Sequence, residues 1–232
     1  METMFCRTEA LYGKEAVERL QRANVLLLGL GGVGGYVLEA LTRTGVGKLT
    51  LCDFDVVSPS NINRQILANR ENVGQKKAEV AKKRALAINP DVEISLWQEK
   101  VTEESAKDLI NSAPFDFIID AIDDVRAKLA VIESAVSQNI PIISSLGTAN
   151  RRDPSLLSMT DLSKTVGCPL ARSMRAGLRK KNITHLPVLF SREEPQESRD
   201  PAIRLSSSVF VPATAGLLLA SYVVEELIKN IV

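Results

Sequence analysis

Up to residue 145, short unbroken apolar runs alternate with amphipathic stretches, and that spacing predicts strands interleaved with helices. Residues 24–29 (NVLLLG) show no internal polar alternation, as expected of a parallel strand covered on both faces. Glycines follow at once, 36–44 carries helical patterning, and LTLCDFD (49–55) supplies a second strand ending in acids, completing a strand-helix-strand unit. Residues 75–89 read as a helix with Lys76, Lys77, Lys82, Lys83 and Arg84 outward, stopped by Pro90 before a strand at 92–97. Thr102 is the expected N-cap of the next helix, with Glu103 and Glu104 in its first turn, where the helix dipole favours them. A strand at 115–119, a helix at 125–138 and a strand at 140–145 continue the alternation. The pattern predicts an α/β fold with a doubly wound, mostly parallel central sheet and a Rossmann-like nucleotide-binding half.

The remainder changes character. Residues 146–165, rich in Gly, Asp, Pro, Ser and Thr, are expected to form an ordered loop, and 168–181 a basic helix with Pro169 in its first turn. A strand at 186–190, a polar loop at 191–201, a strand around 204–210 and a helix at 216–227 form a C-terminal strand and helix extension. Residues 205–224 carry no charge and are nearly long enough to cross a bilayer, but Ser206, Ser207, Ser208 and Pro212 interrupt the first half. A helix packed in the interior or a subunit interface is expected there, without membrane insertion. The chain reads as a single domain over 1–232, with a nucleotide-binding core at 20–145 and a substrate-binding and C-terminal extension at 146–232.

Composition narrows the setting. With 232 residues, 45% of them hydrophobic, the chain can bury a sizeable core without disulfides or structural metals. A formal charge of +1 gives no general reason for a polyanionic partner, so any nucleic-acid site must be local. Cys6, Cys52 and Cys168 are widely spaced and odd in number, which fits a reducing compartment better than a disulfide framework. An N-terminal stretch mixing acids and bases argues against export, and a cytoplasmic location is expected.

The chemistry gathers at predicted strand ends. Gly29, Gly31, Gly32 and Gly34 would let backbone amides and a helix N-terminus approach phosphate or ribose oxygens, a pattern equally suited to nicotinamide and flavin nucleotides. Asp53 ends the second strand, where a carboxylate can accept hydrogen bonds from ribose hydroxyls, and Asp55 follows it. Asn61 and Arg64, three apart in SPSNINRQ, can face one way on a helical turn. Lys77 adds an ammonium at a helix start, and Asp123 a carboxylate beyond the fourth strand, more naturally placed to hold Mg²⁺ than to oppose a phosphate unaided. Two cations at this edge can balance charge growing on a transferring phosphate.

GLGGVG, DFD, SNINRQ, VGQKK and DAIDD, in this order and at similar spacing, resemble the ubiquitin-activating-like (ThiF-type) adenylating enzymes. The resemblance implies ATP-dependent activation of a carboxylate. It also implies that Asp53 binds ribose, that Asn61, Arg64 and Lys77 handle phosphate, and that Asp123 coordinates Mg²⁺. Arg7, in RTEALYG, resembles the arginine that homodimers of this kind extend into the neighbouring subunit's ATP site. The second half, from DPSLLSMTDLSKTVGCPLARSMRAGLRKKNI through VLFSREEP to SSVFVPATAG, is similar to bacterial enzymes that dehydrate N6-threonylcarbamoyladenosine in tRNA. That similarity implies cyclisation of the threonylcarbamoyl group through its adenylated carboxylate. It implies a homodimer, a tRNA substrate, a monovalent cation (Na⁺ or K⁺) and a sulfur-relay protein partner as further associations.

Arg172, Arg175, Arg179, Lys180 and Lys181 lie within a stretch lacking acids, with Arg151 and Arg152 upstream, and such a patch can contact backbone phosphates without reading sequence. His185 fits a surface or capping role, Cys52 the core, and Cys168 either a packing role or the thiol that relatives acting on ubiquitin-like proteins use. Three alternatives compete. They are adenylation of the C-terminus of a ubiquitin-like or sulfur-carrier protein, a nicotinamide-dependent oxidoreductase, and a noncatalytic nucleotide-sensing or RNA-binding module. The absence of paired CxxC motifs weighs against the first, and the cluster of Asn61, Arg64, Lys77 and Asp123 against the others.

Overall fold

The structure is a computed structural model that describes residues 3–229 and 231. Seven strands pair into one sheet: β1 Asn24–Leu28, β2 Lys48–Cys52, β3 Glu93–Trp97, β4 Phe117–Asp120, β5 Ile142–Ser145, β6 Leu157–Asp161 and β7 Pro187–Ser191. Their order is β3-β2-β1-β4-β5-β7-β6, parallel throughout except for β6 against β7. Strand order reverses between β1 and β4, and in open α/β sheets ligands bind beyond the carboxyl ends of the strands at such a point.

Among the described residues eight α-helices surround the sheet: α1 Cys6–Tyr12, α2 Lys14–Arg22, α3 Gly34–Thr44, α4 Lys77–Ile88, α5 Glu103–Asn111, α6 Val125–Ser137, α7 Pro169–Arg179 and α8 Phe210–Ile228. Successive strand residues point to opposite faces, so β1 feeds two cores. Val25 and Leu27 pack with α2, α3, α4 and α8, whereas Leu26 and Leu28 pack with α5, α6 and α7. The apolar run at the start of the sheet is thereby explained by burial on both sides. Thr102 caps α5 as expected, its hydroxyl accepting from the Ser105 amide at 3.2 Å.

The five strands expected before residue 145 are present, with ends shifted by at most three residues. The second half departs from expectation in two places. Within the expected loop 146–165 lies β6, a half-exposed edge strand too short and polar for alternation to reveal. The strand expected around 204–210 is absent: Asn150 satisfies the backbone of Ser206 and Arg204, and α8 already begins at Phe210. Pro212 does not interrupt that helix, because it sits in the first turn, where its missing N–H has no intrahelical partner to lose.

Among the described residues α8 is the one helix long and apolar enough to span a bilayer, with a mean hydropathy of 1.4. It is packed in the fold, with Val211, Ala215, Leu219 and Val223 buried in the core. At Gly216 a β-carbon would lie 2.4 Å from the Val33 carbonyl oxygen, so only glycine lets α8 approach the start of α3 this closely. That contact brings the α8 N-terminus over the glycine turn after β1.

Candidate active site

Between β1 and α3 the chain turns through Gly29, whose φ of 85° favours glycine, and a β-carbon there would sit 2.7 Å from the Ala121 carbonyl oxygen. Gly34 opens α3 with its α-carbon so near Gly29 that any side chain would collide with the Gly29 carbonyl. No side chain caps α3; the Gly35 and Tyr36 amides donate to the Gly31 and Val33 carbonyls at 3.1 and 3.0 Å, so the amides left for an anion are those of Gly31, Gly32, Val33 and Gly34. Gly31 and Gly32 carry nothing that would shield them: a β-carbon on Gly32 would contact Pro212 and the Arg64 stem.

Asp53 is fastened to this turn. Its Oδ2 accepts from the Leu30 amide at 2.7 Å and its Oδ1 from the Asp55 amide at 2.8 Å, leaving a lone pair on each oxygen for ribose hydroxyls. Burial pushes the Asp53 carboxyl above its ordinary range, opposed by the charge of Lys77 and the two amides. The neighbouring Cys52 thiol is pushed up to about 12 by burial and by the charge of Asp53, so it stays protonated core, as expected.

Lys77 corrects an expectation. It does not point outward: its side chain is 8% exposed and its Nζ donates to Asp55 Oδ2 at 2.8 Å. The helix starts at Lys77 itself, and a bridge between Val56 and Lys76 draws the start of α4 against the end of β2. The neighbouring Arg84 is also not free, because its guanidinium pairs with Glu39 at 2.6 Å.

Asn61 and Arg64 belong to a tight turn opened by a 3-10 segment at Pro59–Asn61, with Gln65 buried against the glycine turn. Asn61 Oδ1 accepts from the Ser58 amide at 3.0 Å, which orients its Nδ2 donors elsewhere. Arg64 Nη1 donates to the Ser60 carbonyl at 2.7 Å and to Asn63 Oδ1 at 2.9 Å, both neutral oxygens, so its charge is not neutralised by a carboxylate there. Asp123 is exposed and lies just beyond Ala121 and Ile122, the residues against which Gly29 packs. Capping of α6 falls to Asp124, which accepts from the Arg126 and Ala127 amides and leaves Asp123 uncommitted to the helix. Asp53, Asp55, Asn61, Arg64, Lys77 and Asp123 therefore all lie on segments that meet at the glycine turn.

Arg7 stands apart. It lines a groove of about 370 Å³ with Leu11, Tyr12, Ala40, Thr44 and Leu217, alongside the C-terminal part of α3 and away from the glycine turn at its start. Within one chain Arg7 is not a member of the cluster.

Sequence reasoning missed a buried ionic network beneath Asp123. Lys128 on α6 is fully buried and donates to Asp120 Oδ2 at 2.8 Å, Ser144 Oγ at 3.0 Å and the Ser145 carbonyl at 2.8 Å. Ser144 in turn donates to Asp120 Oδ2 at 2.6 Å. These bonds tie the carboxyl ends of β4 and β5 together. Its signal was legible: Lys128 falls on the apolar stripe of its helix, with Val131, Ile132 and Ala135.

The expected basic patch is smaller than its sequence. Arg175 is held by the Thr165 carbonyl and hydroxyl, Lys181 pairs with Glu133, and Arg151 is buried, donating to the Glu193 and Ala149 carbonyls. Arg152, Arg172, Arg179 and Lys180 remain exposed. Cys168 is buried at the start of α7 among apolar neighbours, which favours packing over a reactive thiol, and His185 is exposed 3.5 Å from Asp161.

A family model, that of the ThiF family, matches residues 5–232. The chain is 37% identical over 243 aligned positions to the tRNA threonylcarbamoyladenosine dehydratase of Bacillus subtilis, covering 98% of this chain and 95% of that one. A crystal structure of E. coli tRNA N6-threonylcarbamoyladenosine dehydratase in complex with ATP matches with a TM-score of 0.91 at 34% identity, covering 98% of this chain and 94% of that one. The sulfur carrier protein adenylyltransferase of Thermus thermophilus is 38% identical over 131 residues, only 56% of this chain and 48% of that one. With a family model matching residues 5–232 and relatives alike over nearly the whole length, the chain belongs to the ThiF family.

Proposed function

We propose that the protein uses ATP to dehydrate N6-threonylcarbamoyladenosine in tRNA, closing the threonylcarbamoyl group into a ring. The observation that carries this reading is the convergence of Arg64, Lys77, Asp53 and Asp123 on one glycine turn, in a chain similar end to end to proteins of that name. The alternative, adenylation of a ubiquitin-like or sulfur-carrier C-terminus, is less favoured, since the likeness to such an enzyme covers about half of the chain.

In this account Asp53 holds the ribose and the amides of the turn at residues 31–34 receive phosphate oxygens. The threonyl carboxylate, ionised near neutral pH, needs no general base. One of its oxygens attacks the α-phosphorus, the bond to pyrophosphate breaks, and Arg64, Lys77 and the Asn61 amide stabilise the charge that develops. The urea-like group then attacks the acyl carbon and gives up one N–H proton to solvent, while the bond to AMP breaks and AMP leaves carrying one carboxylate oxygen. Mg²⁺ would be held by the Asp123 carboxylate together with ATP phosphate oxygens, a mode suited to an ion that keeps few protein ligands. Among the described residues no cluster of three acidic, His or Cys side chains offers a fuller cage.

Arg152, Arg172, Arg179 and Lys180 supply phosphate contacts for the tRNA, placing residues 146–232 on the substrate side. A homodimer through the α1 and α8 surface, where Leu11, Leu217 and Leu218 are exposed, would let Arg7 serve the neighbouring ATP site. The reaction is expected in the cytoplasm. The reading is tested by incubating the protein with ATP, Mg²⁺ and tRNA with or without the threonylcarbamoyl group. AMP should form only with the modified tRNA; equal AMP with both, or none with either, contradicts it.

A further inference from the structure

Asn63 has an exposed side chain whose two ends are both engaged. Its Oδ1 accepts from Arg64 Nη1 at 2.9 Å, while its Nδ2 donates to the Ser207 carbonyl at 3.0 Å, across 144 residues of sequence. The strap that includes Ser207 is clamped on its other side by Asn150, in the loop after β5. The Asn150 amide donates to the Ser206 carbonyl at 2.7 Å, its Oδ1 accepts from the Ser206 amide at 2.7 Å and hydroxyl at 2.8 Å, and its Nδ2 donates to the Arg204 carbonyl at 3.2 Å. The Asn150 carbonyl also accepts from the Gln196 amide at 2.8 Å, and Asn150 holds a left-handed φ of 60° to make this set. Residues 204–207 therefore run from the loop beyond β5 to the turn bearing Arg64, and then enter α8, whose Pro212 lies against the glycine turn.

A side-chain amide presents a donor at one end and an acceptor at the other, so fixing one end fixes what the other offers. With Nδ2 on the Ser207 carbonyl, Oδ1 faces the Arg64 guanidinium; rotated, the amide would turn a donor toward a donor. We propose that Asn63 is a positioning residue that ties the Arg64 guanidinium to the 204–207 strap, so that Arg64 holds its working orientation only while Asn150 keeps the strap seated. The proposal rests on the assignment of Arg64 to ATP phosphates. It links the substrate-side loop after β5 to the phosphate site through three side chains, with no movement of the sheet.

Asn63→Asp separates the two bonds, because it keeps an acceptor for Arg64 but sets an oxygen against the Ser207 carbonyl. Asn150→Gly removes the clamp and tolerates the left-handed backbone. Both are compared with Asn63→Ala and with the Asn63→Ala/Asn150→Gly double variant. Two measurements need no tRNA: amide hydrogen exchange across 196–209 and ATP affinity. The third is kcat and KM for AMP release with threonylcarbamoyl-modified tRNA. Asn63→Asp and Asn150→Gly should each speed exchange in 196–209 and lower kcat about tenfold, with ATP affinity changed by less than about threefold. The double variant should be no worse than its poorer parent, since both substitutions cut one chain of contacts. Parental kcat in Asn63→Asp, or losses that multiply in the double variant, overturns the proposal. If the parent protein releases no AMP, the functional reading fails, and the exchange arm still decides: exchange unchanged by Asn63→Asp refutes the link. Should Asn150→Gly fail to fold, the exposed Asn63→Asp pair of measurements decides alone.

Discussion

Burying an ammonium is costly unless it is paired, and Lys77 keeps one carboxylate, Asp55, at the end of β2. Arg64 is held only by neutral oxygens. Under the proposed function both would gain a stronger partner as negative charge grows on the α-phosphate. Arg64→Ala and Lys77→Ala should each slow pyrophosphate release at saturating ATP about a hundredfold, the loss of roughly 3 kcal/mol of transition-state stabilisation. Folded variants with parental rates would contradict that role. Lys128 does a different job, because it is fully buried and reaches no solvent. Lys128→Met leaves Asp120 charged and unpaired, and should lower unfolding stability by about 3 to 5 kcal/mol in urea titrations. Adding Asp120→Asn should recover part of that loss; no recovery would refute the pairing argument. Sequence showed which residue types gather at strand ends, but not which way Lys77 turns. Periodicity defines a helix face only over several turns, and Lys77 is the first residue of its helix.

Among the elements, the βα half was legible because β1, β2, β4 and β5 are buried along nearly their whole length and the helices between them carry apolar faces, while the edge strand β3 alternates. β6 was not, because an edge strand with one neighbour needs no hydrophobic run. The 204–210 segment was misread for the opposite reason: its apolar residues suggested a strand, while its backbone bonds go to Asn150 and its end is already α8. Helix α7 is where composition and structure diverge most. Of the five basic candidates at 172–181, of which Lys180 and Lys181 lie beyond the helix, Arg175 and Lys181 are engaged by Thr165 and Glu133. Arg172→Gln, Arg179→Gln and Lys180→Gln together should therefore weaken tRNA binding and flatten its salt dependence, since fewer counterions are released from the nucleic acid. ATP affinity without tRNA should stay unchanged. Arg175→Gln alone should cost stability of the 162–175 region and leave the salt slope as it was. An unchanged slope in the triple variant would move the tRNA footprint off α7.

For the whole molecule, the position of Arg7 beside the C-terminal part of α3 separates it from its own glycine turn, and the proposed dimer would set the α1 and α8 surface against a second copy. If Arg7 works across a dimer, Arg7→Ala and Lys77→Ala should each be impaired alone, yet mixed dimers should contain one intact site. Exchanging subunits between the two variants should restore roughly a quarter of the parental rate, from the half of dimers that are mixed. No restoration would place Arg7 outside the neighbouring site. Fold class and the nucleotide turn were readable from the residue pattern, whereas the homodimer and the reach of Arg7 came only from the resemblance, because residue pattern does not say which surfaces α8 leaves exposed after packing on α3. The central claim is that the threonyl carboxylate is adenylated before the ring closes. The most direct measurement is mass analysis of AMP and nucleoside after one turnover of tRNA whose threonyl carboxylate carries heavy oxygen. One labelled oxygen should appear in AMP, one should remain in the cyclised nucleoside, and AMP should equal product. Unlabelled AMP, or cyclised product formed without AMP, would contradict the account.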